Sequence, residues 1–229
     1  MSGRALGNSV GSMTEFPAAG RAIFLNGGSS SGKSTIGRVL QSTLEDVWLL
    51  IGIDVLIWLL PVELTEGPWG FSVVDGEIRR GPAFRKVYDG FQHSVAALCR
   101  AGQDVIIDDV LIDGGADQGQ WEIALTDIGT TWIGVRCDRE VATARESERG
   151  DRPIGIAGRY AERVHQGVHY DIEVNTSAAS VEDTLDLVAR VLEERCGIAP
   201  RAQKRARGSL PPRSALSPHS SRSLAPWER

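Results

Sequence analysis

The stretch "GGSSSGKST" at residues 27–35 has the clearest chemical meaning in the sequence. It satisfies the pattern G-x-x-x-x-G-K-[ST], in which successive backbone N–H groups cradle phosphate oxygens. An apolar run precedes the stretch and a helical pattern follows it, which is the context that such a loop requires. The pattern therefore predicts a phosphate-binding loop. The alternative is a Gly/Ser-rich turn that matches the pattern by chance.

The residue types in this loop indicate how it would work. Glycine allows the backbone to approach a phosphate closely, Lys33 reaches the β- and γ-phosphates of a nucleotide, and the Ser34 hydroxyl is a ligand for Mg²⁺. We therefore expect a nucleoside triphosphate with Mg²⁺, and we take Lys33 as catalytic as well. The predicted nucleotide-binding residues are Gly27, Gly28, Ser29, Ser30, Ser31, Gly32, Lys33, Ser34, Thr35 and Arg145.

A second acidic element is "VIIDDV", an apolar run that ends in Asp108 and Asp109. A strand of this kind resembles a Walker B element, which holds Mg²⁺ directly or through water. The sequence does not decide which carboxylate serves. We take Asp109, together with Ser34, as the metal ligand because it lies nearer the end of the strand. Helix capping by an aspartate after a strand is the alternative.

The stretch "RESERGDR" carries three arginines. Arg145 and Arg149 are four residues apart and share one face of a helix, and Arg152 follows in a glycine-containing turn. Next to a phosphate loop, we expect the arginines to close over the nucleotide. Arg149 would neutralise charge on the transferred phosphoryl group and is therefore predicted to be catalytic. The alternative is a solvated helix face on which Glu146 and Glu148 pair with the arginines.

One carboxylate interrupts the apolar run "WLLIGIDVLIWLL" at residues 48–60. A strand from Trp48 to Ile53 that ends at Asp54, followed by a short helix from Val55 to Leu60, would place this charge at the edge of the core. In a doubly wound sheet this strand and the phosphate loop meet at the same rim. Asp54 is therefore predicted to be the catalytic base that accepts a proton from an attacking hydroxyl. An N-cap for the short helix is the alternative.

Apolar, β-branched runs alternate with helical patterns along most of the chain, which is typical of a parallel sheet covered on both faces. We expect a three-layer α/β fold with a mostly parallel five-stranded sheet. The predicted strands are 22–27, 48–53, 104–110, 130–137 and 170–176, and the predicted helices are 33–45, 83–101, 117–127, 139–149, 157–166 and 180–195. Ser180 is predicted to cap the last helix.

The 24 residues from 62 to 85 contain no predicted element before the helix that starts at 83. A stretch of this length in a compact domain is usually a lid or a binding loop. Trp58, Trp69 and Phe71 are therefore candidates for the wall of an apolar acceptor pocket. Ordinary core packing of these aromatic residues is the alternative.

Composition predicts one domain, at residues 21–196, between a disordered leader (1–20) and a disordered basic tail rich in Pro, Ser and Arg (197–229). The chain has 229 residues and a net charge of −5, although seven basic residues and one acid follow residue 196. The acidic remainder argues against specific nucleic-acid binding. Three widely spaced cysteines indicate reduced thiols in the cytoplasm. We expect no membrane association, and the oligomeric state stays open.

Five blocks of the sequence resemble the chloramphenicol phosphotransferase family. They are "IFLNGGSSSGKST", "IGIDVL", "VIIDDVLIDGG", "WIGVRCDREVATARESERGDRP" and "VHQGVHYDIEVNTS", and they stand in the family's order across residues 22–195. The resemblance implies a P-loop kinase fold and ATP-dependent phosphorylation of the primary hydroxyl of chloramphenicol or a related small molecule. It also implies that Asp54 is the catalytic base and that residues 27–35 cradle the nucleotide.

Two other functions remain open at this stage. One is a nucleotide-binding ATPase or regulatory switch without a small-molecule acceptor, and the other is a nucleoside or metabolite kinase. A GTPase would carry an Asn/Thr-Lys-x-Asp guanine reader, and the sequence contains none. Turnover measured with and without a hydroxylated acceptor separates the kinase from the switch.

Overall fold

The computed structural model describes residues 18–65, 67–149, 155–178 and 180–200. Residues 1–17 of the predicted leader, residues 201–229 of the predicted tail and Arg152 lie outside these ranges. The described chain continues beyond the predicted boundary at residue 196. Ile198 is buried in the core and Pro200 forms a β-bridge with Leu44, so the packed domain extends to the end of the last described range.

A parallel five-stranded sheet forms the centre of the fold, with strand order β2-β5-β1-β6-β7. A separate two-stranded antiparallel sheet consists of β3 and β4. The strands are β1 (Ala22–Asn26), β2 (Trp48–Gly52), β3 (Phe71–Val74), β4 (Glu77–Arg80), β5 (Asp104–Asp109), β6 (Thr130–Arg136) and β7 (Ile172–Asn175).

Helices cover both faces of the central sheet. They are α1 (Lys33–Thr43), α2 (Ile53–Leu59), α3 (Pro82–Arg100), α4 (Gly115–Ala124), α5 (Arg139–Arg149), α6 (Ile156–Tyr160) and α7 (Val181–Cys196), with short 3₁₀ helices at Val62–Leu64 and Arg163–His165. Ser180 caps α7 as predicted, since its Oγ accepts a hydrogen bond from Asp183 N at 3.1 Å. No helix within the described ranges combines the length and the apolar character that a membrane crossing needs.

The side chains of β1 alternate between two hydrophobic cores. Ala22 and Phe24 pack with residues of α3 and α4 on one face of the sheet. Ile23 and Leu25 pack with residues of α1 and α7 on the other face. All four side chains are fully buried, because successive residues of a strand point to opposite faces and both faces are covered. The predicted three-layer α/β fold is therefore confirmed.

The junction between β2 and α2 differs from the prediction. The strand ends at Gly52, which takes the N-cap position of α2, and the helix already begins at Ile53. Asp54 therefore lies in the first turn of the helix and is neither the residue that ends the strand nor the N-cap. A carboxylate in a first helical turn interacts favourably with the positive end of the helix dipole.

The segment between α2 and α3 contains a β-hairpin, which corrects the prediction of a structureless stretch. Its strands β3 and β4 pair in antiparallel register, and Asp75 and Gly76 connect them with φ values of 51° and 71°. Positive φ at both central residues is the requirement of a type I′ hairpin turn, for which Asp-Gly is a favoured sequence. The Tyr160 hydroxyl of α6 accepts a hydrogen bond from Ile78 N at 3.0 Å, which attaches the hairpin to that helix.

Candidate active site

A pocket of about 750 Å³ lies at the carboxyl edge of the central sheet. It brings together residues that the sequence analysis selected independently from separate segments of the chain. The predicted residues that line it are Ser29, Ser30, Ser31, Gly32, Lys33, Ser34, Thr35, Asp54, Arg145 and Arg149. Asp108 also lines the pocket, whereas Asp109 does not belong to its lining.

Gly27 and Gly28 begin the phosphate loop, and their carbonyl oxygens accept hydrogen bonds from Lys33 Nζ at 2.8 and 2.9 Å. A Cβ atom at Gly27 would lie 2.4 Å from the Val135 carbonyl oxygen, which is far inside van der Waals contact. Gly32 has φ +96°, a left-handed conformation that other residues adopt only with strain. The loop therefore requires glycine for close packing at one end and for backbone conformation at the other.

Two serine hydroxyls of the loop fit the chemistry of a phosphate ligand. Ser29 Oγ and Ser31 Oγ are buried and have no hydrogen-bond partner among the residues that the structure describes. A buried hydroxyl without a partner costs about 1–3 kcal/mol. Phosphate oxygens are hydrogen-bond acceptors. They can accept from these hydroxyls and from the backbone N–H groups of the loop and of the N-terminus of α1.

Ser34 and Asp108 form the part of the pocket that suits a divalent cation. The Ser34 hydroxyl donates a 2.6 Å hydrogen bond to Asp108 Oδ2, and Lys33 Nζ lies 4.0 Å from Asp108 Oδ1. Within the described ranges, no group of three or more His, Cys, Asp or Glu residues could hold a metal ion by itself. Proteins usually bind Mg²⁺ through only one or two side chains, and the substrate phosphates and water supply the other ligands. One hydroxyl and one carboxylate fit this pattern.

Asp109, the predicted metal ligand, does not face the pocket. Its carboxylate is 1% exposed and accepts hydrogen bonds from the Tyr88 hydroxyl, from Trp121 Nε1 at 3.0 Å and from Val110 N at 2.7 Å. Burial raises its pKa to about 6, although these three donors act in the opposite direction. Adjacent residues of a strand face opposite sides, so Asp108 faces the pocket and Asp109 faces the core between the sheet and α3.

The arginines of α5 line the pocket, and Glu146 between them is buried and not part of a solvated face. Glu146 is 2% exposed and accepts hydrogen bonds from Gly155 N at 2.7 Å and Ala157 N at 2.8 Å. This buried carboxylate holds α5 against the start of α6. It thereby fixes the helix from which Arg145 and Arg149 reach the pocket.

Asp54 stands beside an exposed apolar face of α2. Trp58 follows it by one helical turn and is 61% exposed, and Leu59 is 62% exposed. Trp69 is also exposed, whereas Phe71 is half-buried and packs on Phe84 with ring centroids 5.2 Å apart. Of the three aromatic residues considered for the wall of an acceptor pocket, Phe71 packs on the core. Trp58 lies on the same helix as Asp54, one turn further along.

Comparison with known proteins identifies the family. The model of a family described as "Chloramphenicol phosphotransferase-like protein" matches residues 20–193. The chain belongs to this family. A protein of Mycobacterium tuberculosis (strain H37Rv) named "Putative O-phosphotransferase" is 30% identical to it, over 76% of this chain and 81% of that protein. The chain is accordingly a kinase, that is, a phosphotransferase with an alcohol group as acceptor.

Solved structures show the same fold at low sequence identity. A sugar kinase from Janibacter sp. HTCC2649 has a TM-score of 0.56 at 14% identity, with 79% of this chain and 98% of that chain covered. The Mycobacterium tuberculosis APS kinase, solved with AMPPNP and APS, has a TM-score of 0.53 at 13% identity, with 77% and 99% covered. The phosphotransferase-like chain therefore shares the architecture of P-loop kinases.

Two residues of this phosphotransferase-like chain escaped the sequence analysis. Asn26 ends β1 and is fully buried, where it donates to Val164 O at 2.8 Å and to the Tyr170 hydroxyl at 2.6 Å and accepts from Leu111 N at 3.0 Å. It thus fastens the start of the phosphate loop to three other segments. The sequence signal for Asn26 is a polar residue at the end of an apolar strand.

Thr176 follows β7 and lines the pocket. Its sequence context contains no signal of a role in the site.

Proposed function

We propose that this protein transfers the γ-phosphoryl group of ATP, with Mg²⁺, to a hydroxyl of a small molecule, namely the primary hydroxyl of chloramphenicol or a related compound. The observation that carries the proposal is that Asp54 and the phosphate loop with Lys33 line one pocket. A base and a phosphate cradle in the same cavity permit an alcohol to lie between them. An ATP switch would use such a carboxylate only to activate water, so its turnover would not depend on an acceptor.

On the nucleotide side, the loop would bind the triphosphate through its backbone N–H groups, its serine hydroxyls and Lys33. Ser34 and Asp108 would hold Mg²⁺, which neutralises charge on the β- and γ-phosphates when bound. Arg145 would contact the nucleotide, and Arg149 would stabilise negative charge that develops on the equatorial oxygens of the transferred group. Asp108 thus takes the metal role that the sequence analysis gave to Asp109.

On the acceptor side, the Asp54 carboxylate would accept the hydroxyl proton as the acceptor oxygen attacks the γ-phosphorus in line with the departing ADP oxygen. One O–P bond forms to the acceptor and one O–P bond to ADP breaks. The proton stays on Asp54 until solvent removes it. The protein's contribution is to hold the hydroxyl between the carboxylate and the phosphorus, because positioning dominates catalysis of phosphoryl transfer.

The exposed face of α2 favours an uncharged acceptor with an apolar body. Between Asp54 and Glu63 the sequence carries no charged side chain, and Val55, Trp58 and Leu59 are all exposed. A sugar or an anionic acceptor would require hydrogen-bond donors or cations at this position, whereas an aromatic alcohol can pack on these side chains. The apolar face of α2 therefore favours chloramphenicol or a related compound over a nucleoside.

Trp58→Ala tests this side of the site. We expect the KM for the acceptor to rise about 10-fold, because losing an aromatic contact costs on the order of 1 kcal/mol or more. The KM for ATP should stay within about twofold of the wild-type value, since Trp58 does not line the pocket that contains the loop. Steady-state kinetics with each substrate varied in turn give both constants. Ile123→Ala is the control, because it also shortens a highly exposed apolar side chain.

The decisive experiment incubates the purified protein with Mg²⁺, ATP and chloramphenicol and searches for the phosphorylated product by mass spectrometry. A panel of nucleosides and hydroxylated metabolites is run in parallel. Product from chloramphenicol establishes both the reaction class and the acceptor, and product from a nucleoside alone moves the protein to the nucleoside kinases. ATP hydrolysis at the same rate with and without every acceptor, and with no phosphorylated product, would contradict the proposal.

A further inference from the structure

Thr176 lies between the phosphate loop and the arginine-bearing helix α5. Its hydroxyl Oγ1 is 2.8 Å from the Ser31 carbonyl oxygen, 3.3 Å from the Arg136 carbonyl oxygen and 3.2 Å from Arg145 Nη1. Its own carbonyl oxygen lies 2.9 Å from Arg145 Nη2. One residue therefore contacts two parts of the predicted nucleotide site that come from distant segments of the chain.

The donors and acceptors in this arrangement have a fixed order. A guanidinium group only donates, so both oxygens of Thr176 accept from Arg145. The hydroxyl has one hydrogen, and the Ser31 carbonyl is the nearer of its two acceptors. The chain of hydrogen bonds therefore runs from Arg145 through the Thr176 hydroxyl to the backbone of the phosphate loop.

The contact reaches the loop where its conformation matters most. Ser31 precedes Gly32, the left-handed glycine at which the loop enters α1, and Lys33 and Ser34 follow at once. The Thr176 methyl group Cγ2 lies 3.6 Å from the point that a Cβ atom would occupy if Gly32 carried a side chain. Thr176 thus packs on the turn that presents Lys33 and Ser34, while it also holds the guanidinium group of Arg145.

We propose that Thr176 is a positioning residue that fixes the phosphate loop and Arg145 relative to each other before the nucleotide binds. This inference rests on the proposed nucleotide function. Without the hydroxyl, the Ser31 carbonyl and Arg145 Nη1 each lose a partner, and binding of the triphosphate must then order both groups. The added ordering weakens nucleotide affinity and leaves the acceptor side unaffected.

The experiment compares Thr176→Val, which removes the hydroxyl at nearly constant shape, with Thr176→Ser, which keeps it. Titration with a fluorescent ATP analogue gives Kd, and steady-state kinetics give the KM for each substrate. We expect the valine variant to raise the Kd and the KM for the nucleotide about 10-fold, with the acceptor KM changed by less than about twofold. The serine variant should return both nucleotide constants to within about threefold of the wild type. Thr130→Val removes a hydroxyl at the first residue of β6, outside the pocket lining, and serves as the control.

A double-mutant cycle with Arg145→Met separates positioning from a general loss of stability. If Thr176 acts through Arg145, Thr176→Val should weaken nucleotide binding clearly less in the Arg145→Met background than in the wild type. Additive effects would overturn the proposal, as would equal losses in the valine and serine variants. Thr176→Ala supplies the same comparison if the valine variant does not fold. A wild-type protein that binds no nucleotide would instead refute the proposed function itself.

Discussion

Asp54→Asn should lower kcat by about 10²–10⁴-fold, the contribution typical of a general base. Asparagine has almost the shape of aspartate but cannot accept the proton of the attacking hydroxyl. The KM and the Kd for ATP should stay within about twofold of the wild type, because the phosphates would bind to the loop and not to α2. The loss of rate would then arise in the transfer step and not in nucleotide binding.

Turnover is measured by product formation, and nucleotide affinity by titration of the same preparation. Glu63→Gln is the matched control, because it neutralises the next carboxylate along the chain, which lies in the 3₁₀ helix after α2 and outside the pocket. Wild-type turnover in Asp54→Asn would remove Asp54 from the mechanism. A large rise in the ATP KM with kcat unchanged would assign it to nucleotide binding.

The main architecture could be predicted because it depends on local patterns. Near-continuous apolar runs such as Ala22–Asn26 occur where both faces of a strand are covered, and the phosphate loop is encoded in one contiguous stretch. The order of strands in the sheet has no such local signal. It depends on which strands lie next to β1, and therefore on contacts between residues far apart in the sequence.

The differences between the predictions and the structure have specific physical causes. Asp108 and Asp109 are adjacent and chemically identical, and they differ only in the face of β5 to which they point. That face follows from which side of the sheet α1 covers, which the sequence alone does not state. The hairpin after α2 has a local signal, because Asp75-Gly76 stands between two short β-prone runs, and these runs are too short to be clear strands by their apolar pattern alone.

Residues that act through tertiary contacts were the hardest to predict. Glu146 belongs to an arginine-rich helix whose sequence is also compatible with a solvated face, yet it is buried and accepts hydrogen bonds from the backbone at the start of α6. Thr176 stands in an ordinary polar turn, and its importance arises only from its distances to Ser31 and Arg145. A sequence pattern can indicate a chemical group, but not the partner that the fold brings to it.

Asp108→Asn should raise the Mg²⁺ concentration needed for half-maximal activity by about 10–100-fold, the range found when a carboxylate that supports a metal is lost. The Asp108 carboxylate accepts a hydrogen bond from the Ser34 hydroxyl within the pocket, and it would contact the ion directly or through water. Saturating Mg²⁺ should recover part of the rate. Activity is measured against Mg²⁺ at fixed ATP, and an unchanged Mg²⁺ dependence would exclude Asp108 from the metal site.

Asp109→Asn is the matched control, with the opposite expected result. The Mg²⁺ dependence should stay unchanged, while the free energy of unfolding should fall by about 1–3 kcal/mol, because an amide cannot accept from all three donors around Asp109.

Since folding raises the pKa of Asp109 to about 6, its stabilising contribution is greatest below about pH 4 and is lost as the pH rises through 6. Urea denaturation should therefore show a larger difference between wild type and variant at pH 4 than at pH 7.5. A changed Mg²⁺ dependence in Asp109→Asn, with none in Asp108→Asn, would restore Asp109 as the metal ligand.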